Sequence, residues 1–177
     1  MATKTFTETE FNQLSEKDRL NNTLEGEFYW AWLSKPKVSD KYKTMIYGVN
    51  LVLDDANKAK AEAMGLKVMP ADKYTPGDYV VIQRKVRDQS KAAEVAPELV
   101  DSMQKPFPSN ILIGNKSKGI VKFGRYWFPN GGGGIGTTLF KVQIRELVEF
   151  KATEKGFVMD ETGFKATGTT DADGFDN

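Results

Sequence analysis

The chain has 177 residues, 40% of them hydrophobic, which suits one domain with a single core and flexible ends. It contains no cysteine and no histidine, which removes disulfides, thiolate zinc sites, cysteine nucleophiles and every histidine-based triad. The net charge of +1 is unevenly spread: residues 160–177 hold five acids against Lys165, net −4, so residues 1–159 carry +5.

Residues 1–24 read as an N-terminal arm with a helical turn around Glu10 to Leu20. No apolar stretch follows a basic start, so nothing there reads as a secretory signal, and no run approaches the roughly 18 apolar residues of a membrane helix. Glu27 to Leu33 is a first strand, rich in aromatics and broken by Lys35-Pro36-Lys37. Strict alternation places Phe28, Trp30 and Trp32 on one face and Tyr29 and Ala31 on the other. Tyr42 to Leu53 is a second strand, with Met45, Tyr47, Val49, Leu51 and Leu53 sharing a face. Asp54 to Met64 is a predicted helix, N-capped by Asp54 and ended by Gly65. Tyr79 to Arg87 is a third strand whose second half turns basic.

Ala92 to Met103 reads as a weak second helix, with Pro97 starting its second half. Ile111 to Phe128 covers a fourth strand region, interrupted by the polar loop Gly114 to Lys118. Four glycines, Gly131 to Gly134, predict a flexible connection. Thr138 to Phe150 alternates cleanly as the last strand. The expected fold is mainly β: a five-stranded OB-fold-like barrel over residues 25–155, with one or two short helices. Residues 156–177 are expected to form a disordered acidic C-terminal tail.

The leading chemical signal is aromatic rings interleaved with cations. Single-strand binding needs that mixture, since bases stack on rings and cations follow phosphates. The candidate DNA-binding set is Trp30, Trp32, Lys35, Tyr42, Arg84, Lys85, Arg87, Lys91, Lys116, Lys118, Lys122, Arg125, Tyr126 and Trp127. Against it stands the usual fate of strand aromatics, which is the core, and of lysines, which is a solvated surface. The glycine run is no phosphate cradle, because a strand rather than a helix follows it. Asp54 and Asp55 fit a helix start, where exposed backbone N–H groups stabilise acids, and no neighbouring acids suggest a two-metal nuclease. The reading is therefore a binding protein without catalysis, cofactor or metal. In the tail, Asp171, Asp173, Phe175 and Asp176 form an acidic peptide with one ring, suited to docking a partner or competing with DNA for a basic groove.

With these residues in view, the chain resembles the single-stranded DNA-binding proteins of short-tailed bacteriophages and their relatives. The similarity is carried by FYWAWLSKPK, YKTMIYGVNLVL, PSNILIGNKSKGIVKF and TLFKVQIRELVEF, and by the acidic, Phe-bearing tail. It spans roughly residues 25–177. The resemblance implies an OB-fold that binds displaced single strands in replication, recombination and repair, in the cytoplasm of an infected bacterial host. It also implies a tail that docks polymerase or helicase, and often a homodimer. This tail departs from the family pattern: it is thinly acidic and ends in Asp176-Asn177 rather than an aromatic residue. A rival reading is a virion or assembly β-domain whose aromatic face meets another protein.

Overall fold

A computed structural model describes residues 2–39 and 44–150. The N-terminal arm is built rather than loose. Helix α1 (Glu8–Asn12) is closed by a capping box: the Glu10 N–H donates to Thr7 Oγ1 and the Thr7 N–H to the Glu10 carboxylate. Helix α2 (Glu16–Leu20) is capped by Ser15. Such short helices are held by packing rather than propensity. Here Phe6 and Phe11 are both buried, their rings edge to face at 6.3 Å.

Strand β1 (Asn22–Ser39) pairs antiparallel with β2 (Thr44–Val52) through its second half and with β5 (Ser117–Phe128) through its first. Strand β3 (Tyr79–Val86) pairs with β2, and β6 (Gly134–Glu146) with β5. The strand order is β3-β2-β1-β5-β6-β4, the last being β4 (Glu98–Val100), a short parallel edge strand on β6. β3 and β6 approach each other, and the Gln83 N–H donates to Thr137 Oγ1 at 3.2 Å across that seam. A mainly β, OB-like barrel results, with Phe28, Leu51, Ile82, Phe123, Leu139 and Val142 fully buried inside. Removing either Phe ring from such a core costs about 3–5 kcal/mol.

Helix α3 (Asp55–Ala63) lies between β2 and β3 as expected. The Asn57 N–H donates to Asp54 Oδ1 at 2.8 Å, and Gly65 takes φ +82° just beyond the helix, where only glycine is unstrained.

Elsewhere the elements differ from the expectation. β1 continues past Lys35-Pro36-Lys37, because a register irregularity between Trp32 and Lys37 gives Pro36 a place without a ladder bond. The expected helix over 92–103 is instead a 3₁₀ turn, Gln89–Val95, followed by β4; Pro97 and the Val95-to-Val100 apolar pattern favour an extended edge. The fourth strand begins only at Ser117, and the last runs from Gly134 to Glu146 rather than to Phe150. There are thus six strands among the described residues.

The glycine run forms a defined hairpin turn rather than a flexible connection. Pairing reaches Phe128 opposite Gly134, and Gly131, Gly132 and Gly133 all take positive φ. The Tyr126 ring lies where a side chain at Gly136 would be, and the Trp127 ring where one at Gly133 would be. The glycines are the floor on which those rings rest.

Candidate nucleic-acid interface

The first half of β1 points Leu24 and Phe28 into the core; the second half points Ala31 and Leu33 there instead. The parity changes because β1 holds one extra residue between the pairs Tyr29–Asn50 and Trp32–Gly48, a β-bulge. One extra residue turns every later side chain to the opposite face. Phe28 and Tyr29 are both buried, while Trp30 and Trp32 are 48% and 45% exposed. The expected common face for Phe28, Trp30 and Trp32 is therefore split: both tryptophans are delivered to the surface.

Trp30 sits in the bulge at φ +53°, a left-handed conformation that costs a bulky residue roughly 1–3 kcal/mol. Its surroundings fix it there. The Trp30 N–H donates to Asn115 Oδ1 at 2.9 Å, its Nε1–H donates to the Tyr74 carbonyl at 3.2 Å, and its ring meets Tyr74 edge-on at 6.4 Å. Tyr74 is in turn placed by Asp72, whose carboxylate accepts from the N–H groups of Tyr74 and Thr75 and from the Tyr79 hydroxyl. The Tyr74 N–H bond, foremost, holds the Asp72 carboxyl below its ordinary range. Trp30, Trp32, Lys35, Asn115 and Phe150 line a mostly apolar cavity of about 300 Å³.

A second cavity of about 290 Å³ opens at the β3–β6 seam, lined by Gln83, Arg84, Lys85, Arg87, Tyr126 and Thr137. The basic half-strand and the exposed Tyr126 are thus brought together from distant parts of the chain. Arg84, on the inner parity of β3, lies over the Phe140 ring at 5.9 Å; Lys85 and Arg87 are exposed. The register Trp32–Gly48–Gln83 links the two cavities, and the row Lys37–Ile46–Lys85 runs beside it on the same outer face. Lys116 is exposed and follows Asn115, which lines the first cavity, and Lys91 is exposed on the turn after β3.

Other candidates lie elsewhere. Lys118 and Lys122 project from the outer face of β1–β5–β6, where cations meet acids: Lys118 with Glu146 at 3.5 Å, Lys141 with Glu98 at 3.6 Å and Arg145 with Glu25 at 3.1 Å. Arg125 is buried, and its guanidinium donates to the carbonyls of Met64 and Asp18 at 2.8 and 2.7 Å. Desolvation lowers its pKa, the Asp18 charge opposing this. Trp127 is half-buried against Phe11 at 6.2 Å. Arg125 and Trp127 anchor the arm to the barrel and leave the surface to others. Tyr42 and the tail residues Asp171, Asp173, Phe175 and Asp176 lie outside the described residues. Asp54 is spent on its cap, the Asn57 N–H bond holding its carboxyl below the ordinary range.

The sequence reading missed Asn115 and Tyr74. Asn115 sits in a stretch that composition reads as an ordinary loop, and no local pattern ties it to Trp30, 85 residues away.

No protein-family model and no curated protein matches the chain. Among solved structures, the chain is similar to gp2.5, a single-stranded DNA binding protein encoded by bacteriophage T7, at 19% identity and a TM-score of 0.49, over 83% of this chain and 100% of that one. It is similar to the single-stranded DNA-binding protein from bacteriophage Enc34 in complex with ssDNA, at 12% identity and a TM-score of 0.51, over 70% of this chain and 84% of that one. In fold, then, this barrel is like that of the phage Enc34 single-stranded DNA-binding protein.

Proposed function

We propose that the protein binds single-stranded DNA without sequence preference, without catalysis and without a cofactor or metal. One observation carries the reading: Trp30, Trp32 and Lys35 on β1 connect through Gly48 and Gln83 to Arg84, Lys85, Arg87 and Tyr126. Rings and cations share one path, Arg84 reaching it from the inner parity of β3 at the β3–β6 seam, while the cations on the face of β1–β5–β6 are largely balanced by carboxylates. Stacking contributes about 1–3 kcal/mol per base, and it accepts any base because every base has a π face. The phage Enc34 protein, whose barrel is similar, forms a complex with ssDNA, which supports the same reading.

Within it, the protein protects and organises single strands during phage replication, recombination and repair, in the host cytoplasm. The tail around Phe175 serves as a docking peptide for polymerase or helicase, and the chain pairs as a homodimer. Tryptophan fluorescence of the full chain, titrated with oligo-dT, is the test. Quenching that weakens steeply with salt is expected. Absence of quenching, or quenching indifferent to salt, overturns the reading and favours the assembly-domain alternative.

A further inference from the structure

The cavity beside Trp30 differs from a simple stacking shelf. It is concave, it is walled by Trp30, Trp32 and Phe150, and it has an amide in its lining. Its volume of about 300 Å³ is at the small end of ligand pockets. Lys35 lies in its wall and Lys116 follows Asn115 in the chain, both exposed, so a planar aromatic guest that carries negative charge matches it best. A nucleobase between two phosphates is such a guest.

Asn115 supplies direction. A backbone N–H can only donate, so the atom that Trp30 meets must be the amide oxygen, and Asn115 Nδ2 is left with two hydrogens. Among the described residues none accepts from that nitrogen. The amide is half-exposed in the cavity lining, so its two N–H hydrogens are free to donate to an acceptor on a guest.

We propose that this cavity is a pocket for one unstacked nucleobase, in which Asn115 Nδ2 donates a hydrogen bond to a carbonyl oxygen on the edge of the base. The inference rests on the single-strand reading above and adds a preference to it. Thymine, cytosine and guanine carry an exocyclic carbonyl oxygen. Adenine carries none: its acceptors are ring nitrogens, and where the other bases place an exocyclic oxygen it presents an amine, a donor against the Asn115 donor. Binding elsewhere along the path stays indifferent to base, so the preference is modest.

The experiment compares oligo-dT with oligo-dA on the full chain, wild type and Asn115→Asp. The aspartate keeps the oxygen that accepts from Trp30 and removes the donor. Its added charge acts on both oligonucleotides alike and cancels in the dT-over-dA ratio, and the self-stacking of free oligo-dA, a property of the ligand, cancels when that ratio is compared between wild type and variant. The dT-over-dA ratio is expected to fall roughly three- to tenfold, the span of one neutral hydrogen bond. A second arm needs no variant: replacing thymine by difluorotoluene, equal in shape but a poor acceptor, should cost wild type a similar factor. If wild type binds neither oligonucleotide, the parent reading fails. If it binds both, but the ratio is unmoved in the variant and difluorotoluene binds as well as thymine, the pocket assignment fails alone.

Discussion

Trp32 and Gln83 face each other across Gly48, each paired to it in the sheet, and each lines a different cavity. A Cβ at Gly48 would stand only 3.0 Å from the Gln83 Cβ, so the strip between them has room for little besides backbone. A bare strip between a ring and an amide gives a strand a flat crossing from the aromatic cavity to the basic one. Trp32→Ala should weaken oligo-dT binding between about fivefold and a hundredfold, the loss of one stacked base. The ring is nearly half exposed, so the melting temperature should change little. Fluorescence anisotropy and a thermal melt, run side by side, check both halves. Trp32→Phe should recover most of the affinity.

The two outer faces of the barrel make opposite predictions about salt. Lys85 and Arg87 sit at the basic cavity, whereas Lys118 and Lys122 project from a face where acids are interspersed. Removing a phosphate contact lowers the slope of log affinity against log salt by about 0.7 for a single strand. Lys85→Ala with Arg87→Ala should lower it by about 1.4 in total. Lys118→Ala with Lys122→Ala should leave it unchanged, since an exposed pair such as Lys118–Glu146 contributes little to anything else. Equal slopes in the two double variants would remove the distinction between the faces.

These predictions depend on features that the sequence carries unequally. The helix after β2 was legible because its signals are local: Asp54 at the cap, alanines inside and Gly65 beyond. The basic half-strand Gln83 to Arg87 was legible for the same reason. The exposure of Trp30 and Trp32 was not, because one extra residue in β1 reverses the face, and that count is set against β2 rather than by β1 itself. Nor was the inward fate of Arg125 and Trp127. Their partners, Met64, Asp18 and Phe11, come from a distant helix end and from an arm with no strong pattern of its own. The last helix prediction failed where alanines suggested helix but tertiary pairing with β6 took the segment.

Arg125 gives a stability prediction independent of binding. Its two donors satisfy the carbonyls of Met64, at the end of α3, and Asp18, in α2. Arg125→Ala leaves both acceptors without their partner beneath the arm, at a cost of roughly 3 kcal/mol. Residues 2–20 should then become open to hydrogen exchange and proteolysis ahead of the barrel. The salt slope of oligonucleotide binding should stay as in wild type. A lower slope would place Arg125 on phosphate after all.

Asp72 links acidity to the position of Trp30. Its folded pKa lies below the ordinary carboxylate value of 3.8, because the N–H groups of Tyr74 and Thr75 and the Tyr79 hydroxyl bond to the ionised form. A depressed pKa means that the stabilisation is present in full above the unfolded value. It is lost as the pH falls through that value toward the folded one. Asp54 and Asp78 are depressed too, by bonds from Asn57 and Lys58, so acid unfolding of the whole protein is shared among several carboxylates. The contribution of Asp72 is isolated by comparing wild type with Asp72→Asn across a denaturant series at each pH. The stability gap should be widest near neutrality and close as the pH drops below about 4. The loop that carries Tyr74 should loosen in the variant, releasing the Trp30 Nε1–H from its carbonyl partner and shifting tryptophan emission at neutral pH. A gap that stays constant down to strong acid would mean that the Asp72 bonds do not hold this loop.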